Sequence, residues 1–118
     1  MRSGFTLIEI MIVVATIGML AAVAIPNYVK ARGTSQKSAC IDNLRQLDGA
    51  VQQWALENKR APDSHVTLDD ARPYLKNSVT CQAGGTTMEN SYSVDTPATP
   101  PTCIAPGGGA ANFHIMPQ

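Results

Sequence analysis

The chain's fold turns on Gly4-Phe5-Thr6-Leu7-Ile8-Glu9-Ile10-Met11-Ile12-Val13-Val14-Ala15-Thr16-Ile17-Gly18-Met19-Leu20-Ala21-Ala22-Val23-Ala24-Ile25-Pro26. Between Phe5 and Ile25, only Thr6, Glu9, Thr16 and Gly18 interrupt an apolar run. As a helix this run is roughly 31 Å long, matching a hydrocarbon core of about 30 Å. Three kinds of segment fit it. One is a secretory signal peptide, with Arg2 as the basic start and Ala22-Val23-Ala24 as an A-x-A cleavage site. Another is a plain single-pass anchor. The third is a processed assembly helix, cut between Gly4 and Phe5.

Glu9 separates these readings. A carboxylate in hydrocarbon is costly and marks function. Signal peptides and plain anchors have no use for one. A packed filament does: a cut after Gly4 leaves a new ammonium on Phe5, one helical turn from Glu9. In packed subunits the carboxylate can meet a neighbour's ammonium. In a dry core that pair sets axial register, because any other offset leaves a charge unpaired.

Gly4-Phe5-Thr6-Leu7-Ile8-Glu9, followed by the apolar run and Pro26, resembles the type IV prepilin motif, shared by type IV pilins and the pseudopilins of type II secretion. The resemblance covers about thirty residues tightly. It implies cleavage after Gly4 by a prepilin peptidase, methylation of the Phe5 amine and an assembly role for Glu9. The leader would be Met1-Arg2-Ser3-Gly4. That is very short: either translation starts upstream or these residues suffice. Orientation does not follow from charge, since Lys30, Arg32 and Lys37 after the span outnumber Arg2 before it. The cytoplasmic leader is what the resemblance implies.

Pro26 lacks an N–H, and its ring opposes the carbonyl of Ala22. Gly18 is a second weak point. The bland reading is a modest kink. The sharper one is that Gly18 to Pro26 unwinds when subunits leave the membrane and pack, as in filaments resembling this family. Gly33-Thr34-Ser35 offers a place for a second bend. Beyond it, Cys40, Leu44, Leu47, Val51 and Trp54 recur at alternating steps of four and three, which mark one helix face. The helix should reach about Asn58, with Lys59 and Arg60 at its C-terminus and Pro62 forbidding continuation.

The expected organisation is a leader at 1–4, a transmembrane and assembly helix at 5–33, its amphipathic half at 34–60 and a small head at 61–118. The fold class is α+β, a long N-terminal helix packed on a small β-containing head. In the head, Thr67 should cap a short helix with Asp69 and Asp70 in its first turn, limited by Pro73. Short strands are expected at Ser78–Cys81, Ser91–Val94 and Thr102–Ile104, with a turn at Gly84-Gly85. Gly107-Gly108-Gly109 reads as flexible, and Asn112-Phe113-His114-Ile115 as an edge strand or docked tail.

Such a head buries only a small core, and small cores need a staple. A disulfide between Cys81 and Cys103 closes a loop of about 23 residues, worth roughly 3 kcal/mol in the chain-entropy model. Cys40 is then a small apolar residue on the helix face. The pattern Cys81, Gly84-Gly85, Tyr92, Cys103 is similar to short pilin-like proteins ending in C-P-x-G-G-x-Y, although Gln82 replaces the proline and Tyr92 comes late.

Nine basic and nine acidic residues balance, leaving no basic stripe for nucleic acid. No P-loop, G-x-S-x-G, H-E-x-x-H or EF-hand loop is present, so no catalytic residues are assigned and no enzymatic role is expected. His65 and His114 are isolated, and their spacing to the cysteines gives no zinc-chelate pattern. Asp95 alone is poor material for calcium. The expectation is therefore no cofactor and no metal. The implied partners are other copies of the chain, a prepilin peptidase, an assembly platform with its motor proteins, and the membrane. The implied location is the cytoplasmic membrane before assembly and an extracellular or periplasmic filament after it. Two rivals remain: a type II secretion pseudopilin, and a membrane-tethered binding module that does not polymerise.

Overall fold

A computed structural model describes residues 3–107 and 114–117. Met1, Arg2, the stretch 108–113 and Gln118 lie outside them, and with these go parts of the expected leader, the glycine run and the final strand. By packing, the chain divides into two compact units, Met1–Thr34 and Ser35–Gln118. A helix, α1, runs from Leu7 to Glu57.

In the first unit α1 is alone. Its side chains are exposed, with only Ala21 partly covered. Pro26 lies inside the helix, and the backbone is helical on both sides of it. Gly33, Thr34 and Ser35, where the sequence offered a place for a second bend, are helical. A Cβ at Gly18 or Gly33 would meet nothing within 4 Å, so neither glycine is required by packing in the single chain.

In the second unit the four-three stripe becomes the core face. Cys40, Leu44, Leu47, Val51 and Trp54 are buried, with Ala50 and Ala55 beside them. They pack against Val66, Ala71, Val79, Cys81, Met88, Tyr92, Cys103 and Ala105. The helix end is fixed by two reversed hydrogen bonds. Arg60 N donates to Ala55 O at 2.9 Å, and Lys59 N donates to Leu56 O at 3.3 Å. This is a complete Schellman motif, in which the residue past the cap takes a left-handed backbone. Here that residue is Lys59, with φ 50. Arg60 then lies over the Trp54 ring, 5.9 Å from its centroid.

The short helix α2, Leu68–Ala71, is capped as expected. Thr67 Oγ1 accepts from Asp70 N at 3.3 Å, and Asp70 Oδ2 accepts from Thr67 N at 3.0 Å. A 3-10 turn, Arg72–Tyr74, follows with Pro73 inside it. Two strands form an antiparallel pair, β1 (Tyr92–Ser93) and β2 (Thr102–Cys103), with Tyr92 opposite Cys103.

Ser78–Cys81 is not a strand. Two of its backbone groups are taken by side chains: Asn43 Nδ2 donates to Thr80 O at 3.0 Å, and Cys81 N donates to Ser91 Oγ at 3.1 Å. A segment whose backbone groups are taken by side chains needs no ladder partner. The Gly84-Gly85 turn is present. Gly84 has φ 109, and Gly85 N donates to Cys81 O at 2.9 Å. A Cβ on Gly85 would stand 2.0 Å from Ser91 Oγ and 2.9 Å from Cys81 N, so the turn admits only glycine there.

Candidate functional site

Two places concentrate chemistry, one in each unit. The first is the start of α1. Thr6 sits immediately before the first helical residue, and Glu9 is three residues on. Thr6 N and Thr6 Oγ1 both donate to Glu9 Oε2, at 2.8 and 2.9 Å. Glu9 N donates back to Thr6 Oγ1 at 3.4 Å. This is a reciprocal capping box, which satisfies amides that the helix itself leaves unpaired. The sequence reading gave Glu9 a role only between subunits. Its signal as a cap, T-x-x-E ahead of an apolar run, was visible in the sequence and was missed.

From that carboxylate onward the surface of α1 is apolar and open as far as Ile25. Leu7 is 79% exposed, Leu20 72% and Ile25 61%. A continuous apolar surface of this length is unusual for a soluble chain and marks contact with lipid or other helices. By length and composition α1 can cross a membrane. Gly4 and Phe5 precede the helix and are exposed.

The second place lies in the second unit. Cys40 on α1, Cys81 before the glycine turn, Cys103 on β2 and His114 in the C-terminal segment converge. Their ligand atoms all lie within 4.8 Å of one another, and all four residues are buried. Cys40 Sγ is 3.4 Å from Cys103 Sγ, and Cys103 Sγ is 3.5 Å from Cys81 Sγ. His114 Nδ1 is 3.9 Å from Cys81 Sγ.

The three cysteines are free thiols. The expected Cys81–Cys103 bond is thus not formed in this structure, though the two sulfurs are neighbours. Cys40 lies on the buried face of α1, as the stripe implied, and that face sets it beside Cys103, so the pair has a third sulfur for a neighbour. Tyr92 Oη donates to Cys40 Sγ at 3.6 Å, and Asn43 Nδ2 donates to Tyr92 Oη at 3.1 Å.

Burial pushes the Cys40 and Cys103 thiols and the Tyr92 hydroxyl above their ordinary values. Burial, helped by the nearby Lys37 charge, lowers His114, which favours a neutral ring. Sequence reasoning missed the grouping. The members are 63, 22 and 33 residues apart, and no local spacing pattern signals such a set.

Comparison with known proteins agrees with the N-terminal motif. The chain is 39% identical over 106 residues to the type IV major pilin PilA of Myxococcus xanthus, covering 86% of this chain and 48% of PilA. It is 34% identical over 113 residues to a type IV major fimbrial protein FimA of Dichelobacter nodosus, covering 96% of this chain and 62% of FimA. It is 31% identical over 82 residues to type II secretion system core protein G of Klebsiella pneumoniae, covering 64% of this chain and 59% of that protein. The chain is therefore a homologue of the type IV pilins and type II secretion pseudopilins, the family its first thirty residues resemble. It spans about half to three-fifths of the length of these relatives. These relatives are structural subunits, not enzymes. No family model matches the chain, and no solved structure matches it.

Proposed function

We propose that the chain is the structural subunit of a type IV pilus-like filament, held in the membrane by α1 before assembly. The observation that carries this reading is an apolar, exposed helix with one carboxylate at its start. In the single chain, Glu9 is satisfied by Thr6. On assembly the same carboxylate turns to the Phe5 ammonium of a neighbour, exposed by cleavage after Gly4. Burial of the apolar helix face against other helices supplies the driving force. The requirement to pair each carboxylate sets the offset between subunits.

Processing by a prepilin peptidase at Gly4 and Phe5, and assembly by a platform with motor proteins, complete this reading. So does partial unwinding between Gly18 and Pro26 in the filament. The filament stands outside the cell or in the periplasm. Mass spectrometry of the mature chain tests it. A methylated Phe5 at the N-terminus is expected. A chain beginning at Ile25 would mean a cleaved signal peptide and would end the proposal.

A second reading has its own support in the similarity to core protein G: a pseudopilus subunit of type II secretion. Electron microscopy of the cell surface separates the two, since only the pilus reading gives long external fibres.

A further inference from the structure

The buried cluster in the second unit serves no step of filament assembly as described. We propose that Cys40, Cys81, Cys103 and His114 form a structural zinc site that staples the head to α1. Three thiolates and one imidazole are a standard closed set for a tetrahedral zinc ion. The sulfur separations of 3.4 and 3.5 Å fit such a centre. A tetrahedron with Zn–S bonds of about 2.3 Å has S···S edges of about 3.8 Å. The set is within a few tenths of an ångström of that edge.

The imidazole argues in the same direction. A disulfide between any two of the sulfurs leaves a thiol and a histidine buried together with no shared task. Zinc uses all four groups. Binding releases the three thiol protons to solvent and leaves one net negative charge on the centre. The surrounding donors suit that charge. Tyr92 Oη already points at Cys40 Sγ, and Asn43 holds Tyr92 in turn. Such outer hydrogen bonds orient ligands and tune affinity.

The ligands come from the helix, the glycine turn, the sheet and the C-terminal segment. One ion would therefore tie four separate segments of a core that is too small to be secure alone.

The test uses the full chain in detergent. As-isolated protein is analysed for metal and, after denaturation and alkylation without reductant, by intact mass. One zinc per chain with three alkylated cysteines is expected. Reduced, metal-free chain is then titrated with Co2+, which should give the intense visible bands of a tetrahedral thiolate site and be displaced by Zn2+. Tyr92→Phe should weaken Co2+ binding by roughly 10- to 100-fold, as loss of an outer hydrogen bond does. Cys40→Ser and His114→Ala should weaken it further. His65→Ala, at an exposed histidine outside the cluster, should bind as the wild type does. Three results would overturn the proposal: a Cys81–Cys103 or Cys40–Cys103 disulfide in metal-free isolated chain, metal uptake only after such a bond is reduced, or free thiols that give no tetrahedral Co2+ spectrum. The wild-type titration decides even if a variant fails to fold.

Discussion

Thr6 and Glu9 hold each other reciprocally at the start of α1, with both Thr6 donors on a single oxygen of the carboxylate. This gives Glu9 two uses that substitution can separate. Glutamine keeps a capping box, because its amide oxygen can still accept from the Thr6 amide. It carries no charge for a neighbour's ammonium. Glu9→Gln and Glu9→Ala should therefore both abolish filaments while leaving chain in the membrane fraction. Shearing and electron microscopy measure the first, and membrane fractionation the second. Filaments at wild-type yield from Glu9→Gln would show that capping, and not charge, is what the residue provides.

Gly18 has open space where a Cβ would go. Alanine is favoured over glycine in a helix by about 1 kcal/mol. Gly18→Ala should leave membrane insertion intact and, on the proposed unwinding of Gly18 to Pro26, lower filament yield, because it favours the helical form of that segment. Wild-type yield, with an intact helix through Pro26 in the filament, would remove the unwinding from the account.

Lys59 occupies a left-handed position that glycine adopts without strain. An L-residue there costs about 1–2 kcal/mol, and glycine returns about 0.5–1 kcal/mol of that through its freer unfolded chain. Lys59→Gly should stabilise the second unit by about 0.5 kcal/mol, read as a small rise in Tm by calorimetry. A fall would mean that the Lys59 side chain contributes more than its backbone costs.

Gly85 is the reverse case. Its turn brings Ser91 Oγ and the Cys81 backbone to distances no Cβ tolerates. Gly85→Ala should destabilise the head by more than about 1 kcal/mol and displace Cys81 from its neighbours. Chemical denaturation of the full chain in detergent, followed through Trp54 fluorescence, would measure it.

Asp70 supplies the pH dependence. The Thr67 hydroxyl, and then its amide, hold the Asp70 carboxyl below its ordinary value. A lowered carboxylate contributes stability above its unfolded value, about 3.9, and loses it as pH falls through the lower folded value. The Thr67 amide resonance should therefore titrate with a midpoint below the usual aspartate range. Asp70→Asn should abolish that titration and should differ from wild type in stability at neutral pH but not in strong acid.

Much of this was legible in the residues. Helix periodicity is a local property, so the four-three stripe from Cys40 to Trp54 announced its buried face. The Thr67–Asp70 cap and the Gly84-Gly85 turn were readable for the same reason: each is settled within a few residues. Ser78–Cys81 was misread because β-prone side chains do not reveal that Asn43 and Ser91 will take the backbone groups.

By itself, then, the sequence determined the apolar helix, its lone acid, its proline and the face on which the head sits. These follow from chain chemistry at short range. Only the tertiary structure decided that Cys40 joins Cys81, Cys103 and His114 in one buried cluster. Contacts between residues tens of positions apart depend on how the turn, the sheet and the helix pack together, and no spacing along the chain encodes that.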